Sequence, residues 1–272
     1  MRQTVGMDFS SRYVALGDSF TEGVGDPDPT RPNGVRGWAD RVAEQLGRND
    51  SGFGYANLAI RGRKLRQIMA EQVAAAVALQ PTLVTLYAGA NDIFRPKVDI
   101  DSLMEDYDAG LAALAATGAT VLLFTGFDAR SSKVFGTMRG RTAIYNELVR
   151  EIADRHGAQL VDYWRFSEYH DWRMWDQDRM HMSTAGHANM ANRVLDVLGQ
   201  EQAEVAESDV AAGGHLTGGS TAVGRLAVAR NNARWAREHA VPWVVRRIKG
   251  TSSGDGLSPR YPQLTRITAP ER

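Results

Sequence analysis

Short apolar runs alternate with longer segments of helical periodicity between residues 12 and 198. The apolar runs are at 13–16, 55–58, 82–87, 120–125 and 159–163. The helical segments are at 37–46, 64–79, 101–117, 141–156 and 183–198. Short runs that are almost entirely apolar are typical of parallel strands buried on both faces, and helices between such strands cover both faces of a sheet. The pattern therefore predicts an α/β fold built on a parallel sheet.

Residues that start and stop helices lie at the ends of these segments. Asp99 or Asp101 is the predicted N-cap of the third helix, and Gly118 is its predicted C-terminal stop. Ser183 is the predicted N-cap of the last helix. These local signals agree with the hydrophobic periodicity and support the predicted boundaries.

The composition changes after residue 199 and divides the chain into three predicted parts. Residues 1–199 are expected to form the α/β domain, and 200–224 a linker that is acidic at first and then rich in glycine and alanine. Residues 225–272 form a basic C-terminal extension with ten Lys and Arg against three Asp and Glu, whereas the rest of the chain has a net charge of −7. We predict helical structure before residue 250 and extended or poorly ordered chain after it.

The basic extension has more than one interpretation. Its arginines are interleaved with Trp235, Trp243 and other apolar residues, a pattern of helices that lie on anionic membrane surfaces. The interpretation that we favour is a helical extension docked on the acidic α/β domain, with both tryptophans packed. Peripheral membrane contact is the alternative, and binding of nucleic acid through the arginines is a third and weaker hypothesis.

Composition and charge exclude several classes of protein. The formal net charge of the 272 residues is zero, so we expect no nucleic-acid partner for the chain as a whole. The absence of cysteine excludes disulfides, thiolate nucleophiles and cysteine-ligated metals. The N-terminal residues have no apolar signal-peptide core, and no run of about 18 apolar residues is present to span a membrane. We therefore expect a cytoplasmic protein.

Four polar motifs lie where an α/β sheet places its ligands. Residues 17–19 follow the first predicted strand, 57–62 the second and 89–92 the third, while 178–181 precede the last helix. Because the carboxyl ends of parallel strands share one edge of a sheet, these motifs can meet in one cleft. They supply a serine, a histidine and carboxylates, the components of a hydrolase with an activated nucleophile.

The four motifs resemble the sequence blocks of the SGNH hydrolases, also called the GDSL esterase/lipase superfamily. The blocks in this chain are Gly-Asp-Ser-Phe-Thr-Glu-Gly (17–23), a glycine block at Gly62, Gly-Ala-Asn-Asp (89–92) and Asp-Arg-Met-His (178–181). The resemblance extends over residues 12–198. It implies a flavodoxin-like three-layer α/β/α sandwich with about five parallel strands.

The catalytic residues are expected in the first and last of these blocks. Ser19 is the expected nucleophile, and His181 is the general base that takes its proton and later returns it. Asp178 is expected to hydrogen-bond to the imidazole and to fix its tautomer. Asp171 and Asp176 are rival carboxylates, but Asp178 alone has the spacing of the family motif.

The resemblance also implies an oxyanion hole and no cofactor. The donors would be the backbone N–H groups of Ser19 and Gly62 and the side-chain amide of Asn91. No pair of histidines has the spacing of metal ligands beside a carboxylate, so we predict no metal site. We expect His187 to have a structural role.

A serine esterase is the function that these expectations favour. It would hydrolyse carboxylic esters through an acyl-enzyme, with small acyl or acetyl esters favoured because the sequence has no extended apolar lid segment. A lysophospholipase or thioesterase that acts on longer acyl chains is the alternative, and the basic extension favours it. A catalytically silent binding protein with the same fold is the second alternative.

Several residues near the blocks depart from the family pattern or suggest contacts with a substrate. Arg61 precedes Gly62 where a small residue is usual, and we expect it to add positive charge near the cleft. Phe20 stands where leucine is more common. Trp164, Trp172 and Trp175 precede the last block. We favour a packing role for these tryptophans, and an aromatic wall for an acyl chain or a sugar ring is the alternative.

Overall fold

One six-stranded sheet forms the centre of the molecule. The computed structural model describes residues 8–95, 97–132, 135–203, 234–235, 237–238 and 251–269. The strands are β1 (Ser11–Gly17), β2 (Phe53–Asn57), β3 (Leu83–Tyr87), β4 (Thr120–Phe124), β5 (Gln159–Val161) and β6 (Tyr261–Thr265). Their order is β5-β4-β3-β1-β2-β6, and β1 to β5 are parallel. The predicted parallel α/β sheet is confirmed.

Helices lie on both sides of the sheet. They are α1 (Ser19–Glu22), α2 (Gly37–Gly47), α3 (Leu65–Ile68), α4 (Ala74–Ala78), α5 (Ala90–Ile93), α6 (Ile100–Ala115), α7 (Arg139–His156) and α8 (Thr184–Val197). Asp99 caps α6 by accepting hydrogen bonds from the N–H groups of Asp101 and Ser102, and Ser183 caps α8. The helix predicted over 64–79 is divided, because a single π-helical turn at Met69–Val73 separates α3 from α4.

Each face of the sheet has its own apolar core. In β1, Val14 and Leu16 belong to the core shared with α6 and α7, whereas Tyr13 and Ala15 belong to the core shared with α2 and α8. Successive side chains of a strand point to opposite faces, so a strand that is apolar at every position serves both cores. This explains why the strands appear in the sequence as continuous apolar runs. Packing in both cores also fixes the carboxyl end of β1 between two layers of helices.

The sixth strand comes from the C-terminal extension and was not predicted. β6 pairs antiparallel with β2, with Thr265 opposite Tyr55 and Tyr261 opposite Asn57. Pro262 is compatible with an edge strand, where one face of the backbone forms no ladder bond. The strand is mixed polar and apolar because it lies at the edge of the sheet. Residues 204–233, 236 and 239–250 lie outside the described residues, and they include most of the predicted linker (200–224) and most of the predicted helical extension.

Candidate functional site

Ser19 lies immediately beyond a sharp turn at the carboxyl end of β1. Gly17 has a φ of 153°, and a Cβ at this position would lie 2.7 Å from the carbonyl oxygen of Tyr87. The side-chain amide of Gln72 holds both backbone groups of Gly17, with N···O distances of 2.8 and 2.9 Å. Asp18 then caps α1 by accepting a hydrogen bond from the N–H of Phe20. The turn therefore places Ser19 at the start of α1, at the edge of the sheet.

Asp178 and His181 are joined by a short loop before α8. Nδ1 of His181 lies 2.5 Å from Oδ2 of Asp178. The other carboxylate oxygen accepts the backbone N–H groups of Met180 and His181, at 2.8 and 2.9 Å. Arg179, between them, has a φ of 56°, so the loop turns back on itself. All three contacts to the carboxylate of Asp178 therefore orient the imidazole of His181.

Of the three candidate carboxylates, the structure places Asp178 against the imidazole nitrogen. Asp171 instead binds the guanidinium of Arg173, with an N···O distance of 2.6 Å, and caps the short helical turn that begins at Trp172. The backbone N–H of Asp176 donates to the carbonyl oxygen of His181 at 2.8 Å. Asp176 thus helps to close the loop through its main chain.

Ser19, Asn91 and His181 line one cavity of about 170 Å³. The cavity lies at the carboxyl edge of the sheet, as the positions of the motifs predict. Most of its other walls are aromatic or aliphatic, and they include Phe20, Tyr87, Phe94, Phe127, Tyr163 and Trp175. A cavity of this kind accepts an apolar group beside a small number of polar ones.

Asn91 is oriented by two acceptors. It lies on α5, just after Gly89, whose φ of 109° turns the chain out of β3. Its side-chain amide nitrogen donates to Oδ2 of Asp18 at 2.9 Å and to the carbonyl oxygen of Arg63 at 3.1 Å. These contacts join Asn91 to Asp18 of the first block and to Arg63, the residue that follows Gly62.

Gly62 lies at the turn after β2, and Arg61 beside it has a different role from the expected one. The Arg61 guanidinium binds Glu22, a fully buried carboxylate, with N···O distances of 2.7 and 3.0 Å. The backbone N–H of Arg61 donates to the same carboxylate at 2.6 Å. The expected free positive charge near the cleft is therefore wrong, since Glu22 neutralises the guanidinium. The pair fastens the Gly62 turn to α1, the helix that carries Ser19.

The electrostatics of the cavity favour a charged imidazole. Burial alone would lower the pKa of His181, but the hydrogen bond and charge of Asp178 and the charge of Asp18 outweigh it and raise this pKa above 6.5. Burial opposes the ionisation of Asp178, yet the contacts with His181 dominate and lower its pKa below 3.8. Burial raises the pKa of Asp18 to about 7. The Asp178–His181 pair is therefore suited to hold a proton on the imidazole.

His187 is a buried structural residue, as expected. Its Nδ1 accepts the backbone N–H of Trp38 at 3.1 Å, and its Nε2 lies 3.1 Å from the carbonyl oxygen of Val24. This pattern requires a neutral ring that donates from Nε2. Burial lowers its pKa to about 4, which agrees with the neutral form. The residue ties α8 to α2 and to the loop after α1.

The three tryptophans have different environments. Trp175 lines the cavity, and its Nε1 donates to the carbonyl oxygen of Tyr169 at 2.7 Å. Trp164 packs beneath the guanidinium of Arg139. Trp172 is 41% exposed and stacks on Arg179. The expected packing role therefore fits Trp164, whereas Trp175 both packs and forms part of an aromatic wall.

Two residues of the site, Glu22 and Gln72, were not predicted from the sequence. Glu22 belongs to the first block, but its partner Arg61 is 39 positions away. Gln72 lies on a helix, 55 positions from the glycine that it holds. The one local signal of a role in the site was the charge of Glu22 within a short block that begins and ends with glycine.

In the described part of the chain, no group of three or more His, Asp or Glu residues is arranged to hold a metal ion. Among the helices described above, none is long and apolar enough to cross a membrane.

Comparison with known proteins decides the family. The sequence profile of the GDSL-like lipase/acylhydrolase family matches residues 15–188. The chain belongs to this family. Members of the GDSL-like lipase/acylhydrolase family hydrolyse ester bonds, and this GDSL-family chain is an ester-bond hydrolase. A search among curated proteins found no significant match.

Solved structures agree with the GDSL-family fold. LAE5, an α/β hydrolase from the metagenome of Lake Arreo, Spain, is 25% identical, covers 71% of this chain and 98% of its own, and has a TM-score of 0.58. Axe2, an acetylxylan esterase from Geobacillus stearothermophilus, is 21% identical over 74% of this chain and 99% of its own, with a TM-score of 0.60. The psychrotrophic esterase EstA from Pseudoalteromonas sp. is 16% identical over 70% and 97%, with a TM-score of 0.55.

Proposed function

We propose that this protein is a serine esterase that cleaves carboxylic esters through an acyl-enzyme. Ser19 would be the nucleophile, His181 the base that takes its proton, and Asp178 the carboxylate that orients the imidazole. The observation that carries the proposal is the cavity that Ser19 and His181 line together, with His181 held by Asp178 at 2.5 Å. The same histidine would return the proton to the leaving alcohol and then activate the water that releases the acid.

The charge on the attacked carbonyl oxygen would be stabilised by three donors. They are the backbone N–H groups of Ser19 and Gly62 and the side-chain amide of Asn91. Support comes from the contacts that place them, since Asn91 is held by Asp18 and Arg63, and the Gly62 turn is held by Glu22. Both hydrogens of the Asn91 amide donate to those two acceptors in this structure, so Asn91 would exchange one of these hydrogen bonds for the oxyanion.

A small acyl group is the substrate feature that we favour. The cavity of about 170 Å³ is close in size to an engineered protein cavity of about 150 Å³ that accepts benzene. Its aromatic walls suit a short apolar group. The similarity to Axe2, described as an acetylxylan esterase, agrees with a small acyl group.

Two other functions are separated from this proposal by experiment. A lysophospholipase or thioesterase would depend on features for long chains, such as a membrane-binding basic extension, and most of that extension lies outside the described residues. A binding protein without turnover would lack an activated serine, and it would therefore fail to react with a fluorophosphonate.

Hydrolysis of p-nitrophenyl esters from acetyl to palmitoyl tests the proposed substrate class. We expect kcat/KM to be highest for the acetyl or butyryl ester and to fall with longer chains, because the cavity limits the acyl group. A maximum at long chains would replace the proposal by a lipase-like function. If no ester is hydrolysed, covalent labelling by a fluorophosphonate distinguishes a narrow specificity from a silent binding protein.

The substitution Asp178→Asn is expected to lower activity less than His181→Ala and to move the acidic limb of the pH profile. Since neutral His181 is the active base, kcat/KM rises with pH through the pKa of this histidine. Without the charge of Asp178, burial dominates, so the limb should shift to lower pH. Kinetic pH profiles of the variants measure both effects.

Asp171→Asn is the matched control for this comparison, because Asp171 binds Arg173 instead of the imidazole. It should leave the limb in place. An unmoved limb in Asp178→Asn, or an equal shift in the control, would mean that another carboxylate serves His181.

A further inference from the structure

A turn of the C-terminal extension lies directly against the Arg61–Gly62 peptide. The hydroxyl of Ser252 donates to the carbonyl oxygen of Arg61 at 3.2 Å. A Cβ on Gly62 would lie 2.1 Å from Oγ of Ser252, and a Cβ on Gly254 would lie 2.1 Å from the carbonyl oxygen of Arg61. The two chain segments therefore approach so closely that neither facing glycine leaves room for a side chain.

Internal contacts hold this turn in shape. The backbone N–H of Ser252 donates to Oδ2 of Asp255 at 2.8 Å, and the N–H of Gly254 donates to the hydroxyl of Ser252 at 3.1 Å. Oδ1 of Asp255 lies 3.8 Å from the guanidinium of Arg63, whose carbonyl oxygen accepts the amide of Asn91. The turn thus contacts the segment of Gly62 directly and is linked to Asn91 only through Arg63.

Arg260 anchors the turn to the helix that carries Ser19. Its guanidinium is buried and binds the carboxylate of Asp40 at 2.6 and 3.1 Å. It also donates to the carbonyl oxygen of Glu22 at 2.9 Å and to three further carbonyl oxygens, those of Pro32, Val35 and Arg36. Glu22 is the residue whose carboxylate holds Arg61. The extension therefore contacts the carbonyl oxygen of Arg61, while Glu22 of α1 contacts the N–H and the guanidinium of the same residue.

The extension lies outside the part of the chain that is matched to the family. The match to the GDSL-like family ends at residue 188. The solved structures described above are covered over 97–99% of their own length but cover only 70–74% of this chain. The contact at Ser252 is thus a property of this chain beyond its family match.

We propose that Ser252 is a positioning residue that orients the N–H of Gly62 in the esterase site, an inference that rests on the proposed function. The carbonyl of Arg61 and the N–H of Gly62 belong to one planar peptide group and point in opposite directions. A hydrogen bond that fixes the carbonyl therefore fixes the direction of the N–H. It also polarises the peptide and makes this N–H a stronger donor to an oxyanion.

The variants Ser252→Ala and Ser253→Ala test this proposal in the full chain. Ser253 is exposed and adjacent, so the same substitution there serves as the matched control. We expect Ser252→Ala to lower kcat for p-nitrophenyl acetate by about three- to tenfold, the value of one net hydrogen bond, with KM changed less than about twofold. The control should keep the wild-type kcat and thermal midpoint, and Ser252→Ala should unfold within about 4 °C of the wild type.

Amide hydrogen exchange gives a readout that does not depend on turnover. The N–H groups of Arg61 and Arg63 have acceptors in Glu22 and Ile60, so their exchange reports on the rigidity of the turn. Ser252→Ala should accelerate their exchange, and Ser253→Ala should not. Gly254→Ala, which places a methyl group against the carbonyl of Arg61, should lower kcat at least as much.

The outcomes separate this inference from the proposed function. An unchanged kcat in Ser252→Ala, or equal effects of the two serine substitutions, would overturn the positioning role. A wild-type protein that hydrolyses no ester would overturn the proposed function and with it the role of Ser252 in catalysis. The exchange data would still decide whether Ser252 restrains the Arg61–Gly62 turn.

Discussion

Ser19→Ala is expected to lower kcat for ester hydrolysis by at least ~10⁴-fold while the protein stays folded. Alanine removes the hydroxyl that would form the acyl-enzyme, and no other group in the cavity can replace its oxygen in the covalent intermediate. The backbone of residue 19 would still begin α1, so the turn after β1 should persist. Steady-state kinetics with p-nitrophenyl acetate and thermal unfolding measure the two effects.

Ser10, an exposed serine just before β1, provides the control for this substitution. Ser10→Ala should keep wild-type turnover, since Ser10 lies at the opposite end of β1 from the cavity. A fluorophosphonate should add its mass to the wild type and to Ser10→Ala but leave Ser19→Ala unlabelled. Near wild-type turnover by Ser19→Ala would refute the proposed mechanism.

Arg260→Ala is expected to lower the free energy of unfolding by about 3–5 kcal/mol, the typical cost of removing one partner from a buried ion pair. The side chains of Arg260 and Asp40 are fully buried. Burial raises the pKa of Asp40 to about 6, although Arg260 and the hydroxyl of Tyr55 oppose this rise. Without the guanidinium, Asp40 would remain as an uncompensated buried acid, and four backbone carbonyl oxygens would lose their donor. Chemical denaturation measures the change.

Arg266→Ala is the matched control, because Arg266 is an exposed arginine in the same segment. Its effect should stay within about 0.5 kcal/mol, as for most surface substitutions. The double variant Asp40→Asn/Arg260→Met should recover part of the lost stability, since it removes the buried charge together with its partner. Equal stabilities of Arg260→Ala and Arg266→Ala would mean that the C-terminal extension is not anchored through Arg260.

Local sequence patterns predicted most of the sheet and its helices. The strands β1 to β5 were each found within a few residues of the predicted runs, because a strand that serves two cores is apolar at nearly every position. Ser183 was identified as a helix cap and Asp99 as one of two candidates, since a cap depends on side chains within three residues of the helix start. The strand β6 was missed because an edge strand has neither an apolar run nor a strict alternation.

In the candidate site, too, contacts between residues close in the chain could be predicted, and contacts between distant residues could not. Asp178 and His181 are three positions apart, so their contact could be proposed from the motif. The role of Arg61 was predicted wrongly because its partner Glu22 lies in another block. A charged side chain beside a cleft suggests that it binds a ligand. When a buried carboxylate of opposite charge pairs with it, the side chain instead stabilises the local structure. Only the packed structure distinguishes these two situations.

The sequence by itself determined the alternation of strands and helices, the four polar motifs at the ends of strands and the family to which they belong. These features depend on interactions between residues that are close in the chain, so they leave a local pattern. The tertiary structure decided which distant side chains meet, as with Arg260 and Asp40, 220 positions apart, or Ser252 and Arg61, 191 positions apart. Such pairs depend on the path of the whole chain and on the burial of charge, and neither property is present in a short stretch of sequence.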